Sequence, residues 1–496
     1  VTLLLRGAAI RAIEKAALDA GAPLMERAGL AAALAARSML RDARHQPARV
    51  LALAGPGNNG GDAFEAATQL RSGGVEVRLC CAAEPPALPA DAAQACAKWR
   101  AGGGSVDSTL PDPREFDLVI DGLFGIGMSR PVAAPNAQWI EAVNAAAVPV
   151  LSLDVPSGLD ADTGFVHGSA MRAHRTITFI ADKPGLHTGA GPDHAGAVEV
   201  ADLDLRAAPP TGTAVGALLS RIDFAACLKP RARDSHKGSY GSVGVIGGSS
   251  GMTGAALLAS RAALMLGAGR VFVGLGDPTA LAIDPLHPEI MLRTAGEVVA
   301  LAPEVLVIGP GLGQSEAARA LLEAACDSAG SVLFDADALN LIARDAKLAA
   351  RVARRKGATL MTPHPLEAAR LLGRDTAAVQ GDRIAATLAI ARLYGASVVL
   401  KGAGSVVADA AGRWWINPTG NPGMASGGMG DTLAGIAGAL AAQCDEPLAA
   451  LMCAVYLHGA AADSAVAAGL GPAGLTAGET VQFARRLFNR WVAAPA

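Results

Sequence analysis

The sequence lacks a charge imbalance. Lys and Arg number 42 against 45 Asp and Glu, a formal net charge of -3. No basic patch or long charge run appears, so nucleic acid is not an expected partner. Aromatic residues are scarce, at 4% of a chain that is 51% hydrophobic. Its cores must therefore be built from Ala, Leu and Val, which suit closely packed helices and buried strands. Zinc-ligand spacing is missing among the 7 cysteines. Cys80 and Cys81 adjoin in VEVRLCCAA, and Cys96, Cys227, Cys326, Cys444 and Cys453 are scattered. All are expected to be buried, reduced thiols of a cytoplasmic protein. Apolar stretches such as TLAGIAGALAAQC read as too short, or too broken by Gly and Pro, to span a membrane. The opening VTLLLRGAAIRAIEK has too short an apolar run for a secretory signal and passes straight into an amphipathic helix. Its initial Val implies that the true start is missing or recoded.

What is present is alternation. A chain of 496 residues is too long for one ordinary domain. The periodicity predicts helices over 8–20, stopped by Gly21, and over 24–44, 90–101 and 137–147. Between them ARVLALAG, VEVRLCC, FDLVIDG and VPVLSLDVP read as strands, each ending in Gly, Asp or Pro. Such alternation predicts a parallel sheet covered on both faces. The pattern lapses at RAAPPTGTAVGAL around 206–218, the best linker candidate. A second series follows: SVGVIGG, RVFVGLG, VLVIGPG, SVLFDAD, ATLMTPH and SVVLKGAG, with mostly helix after Asp431. The expectation is an α/β protein of two domains, 1–208 and 217–494. Ligands in such sheets bind where strands end at their carboxyl edge, so the polar residues just after each strand carry the interest.

In the first half these are GPGNNGGD at 55–62, the loop after Asp121 in VIDGLFGIGMSRP, and LDVPSGLDADTG. Glycines permit positive φ and close approach to a ligand, and amides at a helix start attract phosphate. Asn58 and Asn59 add donors and acceptors. Asp62 suits either a helix cap or a sugar or ring hydroxyl. Arg130 suits a phosphate or a solvated surface equally. Asn59, Asp121 and Ser157, oxygen-bearing residues at adjacent strand ends, suit one hard cation, although Asp and Ser also serve as turn caps.

GPGNNGGD, DGLFGIGMSRP and DVPSGLDADTG, with LMERAG at 24–29 and KPGLHTGAG at 183–191, resemble the NAD(P)HX epimerase or YjeF N-terminal family, a Rossmann-like three-layer sandwich. The resemblance covers roughly 1–205. It implies that Asn58, Asn59, Gly60, Gly61 and Asp62 contact a hydrated nicotinamide nucleotide. The same is implied for Gly125, Ile126, Gly127, Met128, Ser129, Arg130, Pro131 and Asp154. It implies a potassium ion held by Asn59, Asp121 and Ser157. Ala63 stands where the family usually has Gly.

In the second half GNPGMASGGMGD, 420–431, directly precedes the helix TLAGIAGAL. Glycines 427, 428 and 430 place amides at a helix N-terminus, suited to a phosphoryl group in transfer. Asp431 is placed to take a proton from a substrate hydroxyl, or to cap the helix. Lys401 opens a glycine-rich turn closing at Ser405 and suits nucleotide phosphates. His364 sits between two prolines at a strand end, with Glu367 opening a helix. Asp335 and Asp337 suit magnesium or water contacts and equally suit caps. HKGSYGSVGVIGGS, GPGLG, TPHPLEAARLL, KGAGS and GGMGD resemble, over roughly 218–492, the ribokinase-like ADP-dependent NAD(P)HX dehydratase or YjeF C-terminal family. That resemblance implies ADP or AMP contacts at Lys401, Gly402, Ala403, Gly404, Ser405 and Gly430. Hydrated-nucleotide contacts are implied at Ala255, Gly311, Gly313, His364 and Asp431. Met429 stands where the family commonly has Thr.

Together the two resemblances imply a homo-oligomeric metabolite-repair enzyme. It would epimerise the R and S forms of NADHX and NADPHX, then dehydrate the S form with ADP and Mg²⁺, releasing AMP and phosphate. A competing reading is a ribokinase-type kinase of a small alcohol with a binding-only N-terminal domain.

Overall fold

The computed structural model describes residues 2–82, 88–128, 130–205, 215–277 and 279–494. Most of the linker candidate, 206–214, and Ser129 lie outside the described residues. The chain divides into two compact units, 2–216 and 217–496.

The first unit is built on a wholly parallel sheet in the order Glu76–Cys81, Arg49–Ala54, Leu118–Gly122, Val150–Leu153, Arg175–Phe179, Ala197–Ala201. Helices Gly7–Asp19, Leu24–Met39, Asn58–Ser72, Ala90–Ala101 and Asn136–Ala146 connect the strands. The second helix is shorter than its periodicity predicts. After Leu40 the chain turns so that buried Asp117 accepts from the amides of Arg44 and Arg49 at 2.9 Å each, with His45 at 3.0 Å. The small side chains behave as composition requires. Ala32, Ala36, Ala63, Ala66 and Ala67 are wholly inaccessible. A Cβ on Gly29 would come within 2.4 Å of Glu65, so helices Leu24–Met39 and Asn58–Ser72 pack closely there.

The second unit has a larger sheet. An antiparallel hairpin, Trp414–Ile416 with Val406–Ala408, leads through Ser397–Leu400, Thr359–Met361, Ser331–Phe334, Val305–Ile308, Ser242–Gly247 and Arg270–Leu275 to Met291–Thr294. From Ser397–Leu400 onward all pairings are parallel. Helices Thr253–Met265 and Met429–Gln443 touch backbone to backbone, since a Cβ on Gly435 would lie 2.0 Å from the Ala259 carbonyl.

Two expectations are corrected. Pro447–Ala467 is one unbroken helix of 21 residues, long and apolar enough to cross a membrane, but 72% of its apolar window is buried inside the fold. It packs against Met429–Gln443 and Ala477–Ala493, and its all-round apolarity is that of a core helix. The second correction is that Cys227 and Cys444 are not reduced thiols but form a disulfide across a sequence separation of 217. No spacing rule reaches that far, because only the packing of the turn Arg221–Cys227 against the helical core brings the pair together. The other five cysteines form no disulfide and are buried.

Phe224 is fully buried, with ring centroids 5.4 Å from Tyr456 and 6.3 Å from Trp491. Phe224→Ala should cost about 3–5 kcal/mol, read as an earlier denaturant transition in tryptophan fluorescence. An unchanged midpoint would contradict this packing.

Candidate active sites

In the first unit the strand Arg49–Ala54 runs through Gly55–Gly57 directly into helix Asn58–Ser72, whose N-cap is Gly57. Asn58 to Asp62 are therefore the first five helical residues, and Asp62 lies inside the helix rather than capping it. A Cβ on Gly55 would fall 1.6 Å from the Leu123 carbonyl, so only glycine lets the strand-end loops meet. Ala63 faces Gly122, whose added Cβ would come within 2.6 Å of it. At a helical position the extra methyl is accommodated.

These loops surround a cavity of about 870 Å³. Asn58, Asn59, Asp62, Gly125, Ile126, Gly127, Met128, Arg130, Pro131 and Asp154 all line it. Gly60 and Gly61 do not; they are buried, and a Cβ on Gly61 would come within 2.6 Å of the Met25 sulfur. Asp121 and Ser157 lie behind the wall. The fully buried Asp121 carboxylate accepts from the Ser157 hydroxyl at 2.6 Å, the Ser152 hydroxyl at 2.8 Å and the Ser157 amide at 2.9 Å. Burial still raises it above the usual carboxylate range, against the pull of these hydrogen bonds. Asn59 donates to the Leu153 carbonyl at 3.2 Å, and its buried Oδ1 has no hydrogen-bond partner.

Sequence reasoning missed three charged neighbours. Lys183, fully buried, places Nζ 2.8 Å from Asp154 Oδ1 and donates to Thr178 Oγ1 at 2.6 Å and the Phe179 carbonyl at 3.0 Å. Asp154 Oδ2 accepts from the Ile126 amide at 3.1 Å. Its backbone adopts φ 65°, a costly conformation for a residue with a side chain. Arg11 and Glu14, one turn apart on the first helix, complete the wall. Lys183 stood in a quoted motif without a role. Arg11 and Glu14 gave no signal beyond an amphipathic helix.

In the second unit three neighbouring parallel strands deliver the site. Ser331–Phe334 ends at Asp335, Thr359–Met361 leads to His364 and Glu367, and Ser397–Leu400 ends at Lys401. Lys401 Nζ lies 2.8 Å from Asp335 Oδ1 and 4.0 Å from Glu367 Oε2. Burial alone would lower the Lys401 ammonium, but Asp335 and Glu367 outweigh it and hold it above its ordinary value. Lys401 is therefore paired with carboxylates, not free. Helix Met429–Gln443 has Gly428 as its N-cap at φ 85°, a conformation favouring glycine. Asp431 is its third residue, not a cap. A Cβ on Gly430 would sit 3.3 Å from Lys401 Nζ, which places the helix start against the ammonium. Burial, and then repulsion from Asp335, pushes Asp431 up to about 6 despite Lys401. Burial likewise raises Glu367 to about 7, with Lys401 opposing.

His364 has a structural duty. It caps helix Pro365–Leu372, its Nδ1 accepting from the Leu366 and Glu367 amides at 3.1 and 3.3 Å, while Glu367 accepts from the His364 amide at 2.8 Å. Its ring remains about half exposed, so capping leaves an edge open to a ligand. Asp337 accepts from the Gly313 amide at 2.9 Å, and an added Cβ on Gly311 would lie 3.2 Å from that of Ala255. Those residues therefore come together. Ser405 donates to the Gly402 carbonyl at 3.0 Å. Met429 points into an apolar cluster with Leu475 and Ala477, leaving only its backbone at the helix start. Two buried groups went unread. Arg383 donates to the Leu400 and Lys401 carbonyls at 3.2 and 3.1 Å. His458, pushed down to about 4 by burial and Lys401, lies 3.3 Å from the Thr432 hydroxyl.

A family model described as YjeF-related protein N-terminus matches residues 21–185, and one described as NAD(P)H-hydrate dehydratase matches 243–477. The bifunctional NAD(P)H-hydrate repair enzyme Nnr of Escherichia coli is 38% identical over 472 residues, spanning 94% of this chain and 89% of that one. The Coxiella burnetii protein of the same name is 38% identical over 503 residues, spanning 99% and 100%. Among solved structures, the ADP/ATP-dependent NAD(P)H-hydrate dehydratase from Bacillus subtilis, co-crystallized with ATP/Mg²⁺, is 30% identical. It covers 56% of this chain and 99% of its own, with a TM-score of 0.49.

Lys183→Met leaves Asp154 buried without its cation and should cost about 3–5 kcal/mol. Adding Asp154→Asn should recover part of that loss in denaturant unfolding. Simple additivity of the two losses would contradict the pairing.

Proposed function

The chain belongs to the family of bifunctional NAD(P)H-hydrate repair enzymes, and from that premise we propose which residues perform each half of the repair. The first domain, 1–208, takes the hydrated nucleotide into its cavity and interconverts the two epimers. Asn58, Asn59, Asp62, Gly125 to Met128, Arg130, Pro131 and Asp154 hold the nucleotide. Amides at the start of helix Asn58–Ser72 suit its phosphates. A potassium ion fits beside Asn59, Asp121 and Ser157. All three offer hard oxygens, and the buried Asn59 Oδ1 has no partner of its own. The ion would fix the strand-end loops by offsetting the Asp121 charge.

In the second domain, 217–494, the observation that carries the reading is Asp431 on the first turn of a helix that begins in glycines and abuts Lys401. A hydroxyl is a poor leaving group. Asp431 takes the proton of the substrate hydroxyl, whose oxygen bonds to the terminal phosphorus of ADP as AMP leaves. The amides at 427–430 hold the moving phosphoryl group. The ring-nitrogen lone pair then expels phosphate and a proton leaves the adjacent ring carbon, restoring the dihydropyridine. Lys401 to Ser405 and Gly430 hold the nucleotide, while Ala255, Gly311, Gly313 and His364 face the hydrate. Among the described residues no three His, Cys, Asp or Glu side chains form a ready metal cage. Mg²⁺ therefore fits as an ion carried by the nucleotide, near the excess carboxylate charge of Asp335, Glu367 and Asp431. It would offset charge on the transferring group.

With hydrated NADH and ADP, Asp431→Asn should lower recovery of reduced-nicotinamide absorbance by about 10²–10⁴-fold while epimer equilibration continues. Because the base must be ionised, the wild-type dehydration rate should rise with pH through about 6. A flat profile, or an active variant, would assign the proton to another group. Replacing potassium by lithium should slow wild-type equilibration, and Asp121→Ala should remove the difference between the two ions. Equal wild-type rates in both would sink the cation reading.

A further inference from the structure

We infer that Asp62 is the general acid and base of the epimerase reaction, with the Lys183-anchored Asp154 as its charged partner. The inference rests on the epimerase reading of the first domain.

Four carboxylates, Glu14, Asp62, Asp91 and Asp154, line one cavity. The buried ammonium among them, Lys183, is committed at 2.8 Å to Asp154, which also accepts from the Ile126 amide. Both Asp154 oxygens are thereby engaged. Asp62 is differently placed. It projects from the interior of helix Asn58–Ser72 into the cavity, and among the described residues it has no hydrogen bond or ion pair. A carboxyl group so placed is free to exchange a proton with a bound molecule.

The charges facing it come from every neighbouring element. Glu14 and Arg11 lie on the first helix, Asp91 on Ala90–Ala101, and Arg130 follows the strand Leu118–Gly122. Asp154 and Lys183 follow Val150–Leu153 and Arg175–Phe179. Arg11 points its guanidinium to the Ile126 carbonyl at 3.4 Å. Burial first, and then the Asp154 and Glu14 charges, raise Asp62 well above the usual carboxylate range. An unpartnered carboxyl group raised in this way, beside one paired with an ammonium, suits the part of the acid.

The chemistry of the substrate needs such an acid. The hydroxyl-bearing ring carbon is bonded to the ring nitrogen. The Asp62 carboxyl gives its proton to the hydroxyl oxygen, the carbon–oxygen bond breaks, and water departs. The nitrogen lone pair forms a carbon–nitrogen double bond, leaving a cation that the Asp154 carboxylate stabilises. Water then adds to the opposite face and forms the new carbon–oxygen bond. The double-bond pair returns to nitrogen, and the proton of the added water returns to Asp62. Nothing is consumed, as an epimerisation requires.

The test starts from one pure epimer without ADP, so that the dehydratase is idle. Asp62→Asn should lower kcat for equilibration by about 10²-fold or more, with the affinity for the hydrate kept within about threefold. Dehydration of the S epimer with ADP by the same variant reports that the second domain is folded, and an unchanged denaturant transition reports the same for the first. In the wild type kcat should fall as pH rises through the elevated Asp62 value, and in oxygen-18 water each turnover should place one label in the hydroxyl. Near-wild-type kcat in Asp62→Asn, a loss confined to affinity, a pH-independent wild-type rate, or an unlabelled product would each overturn the inference. If wild-type protein does not accelerate equilibration at all, the epimerase reading itself fails. If it does and the variant matches it, only the role of Asp62 fails.

Discussion

In a parallel sheet every strand points the same way, and each hands the chain to the next helix at one common edge. Asp121 stands near the end of one strand of the first sheet, and Asp154 and Lys183 follow two others. Asp335, His364 and Lys401 follow strands of the second. Residues tens of positions apart in the chain, 66 between Asp335 and Lys401, thus arrive within hydrogen-bond reach without any local rule bringing them together. The glycines belong to the same constraint. Strand-end loops can meet only where no Cβ intervenes, and at Gly55 an added one would overlap the Leu123 carbonyl.

Delivering carboxylates to a buried edge has an electrostatic cost, and each site offsets it with a lysine. Lys183 lies 2.8 Å from Asp154, and Lys401 lies 2.8 Å from Asp335. In each site another carboxyl group is left over, Asp62 in the first and Asp431 in the second, and its proton affinity rises because burial and its neighbours disfavour a further charge. Proton-transfer chemistry is placed where the charge balance is incomplete. The two sites differ in what they do with that proton. In the proposed mechanisms the first returns it, while the second begins a phosphoryl transfer.

Much of this was legible in the sequence. Apolar runs ending in Gly, Asp or Pro marked the strands, and the polar residues behind them marked the edge. Two α/β domains of a hydrate-repair enzyme followed from the ordered motifs. What stayed hidden depends on distance. The Cys227–Cys444 disulfide joins residues 217 positions apart. The partners of Lys183 and Lys401 are set by neighbouring strands, and Arg11 and Glu14 sit on a helix whose polar face looks like any solvated one. Caps were misjudged for a local reason. A cap is one alternative for both Asp62 and Asp431, but glycine N-caps start both helices earlier and leave the carboxylates at the fifth and third helical positions. Met429 departs from the family pattern, and its side chain packs inward against Leu475 and Ala477.

The central claim is that the hydroxyl of the hydrate becomes an oxygen of phosphate before it leaves. The S epimer carrying oxygen-18 in that hydroxyl, mixed with ADP and excess enzyme for a single turnover, tests this directly by phosphorus NMR of the products. The account predicts one oxygen-18 in the inorganic phosphate and none in AMP. Label released as water, with unlabelled phosphate, would contradict it.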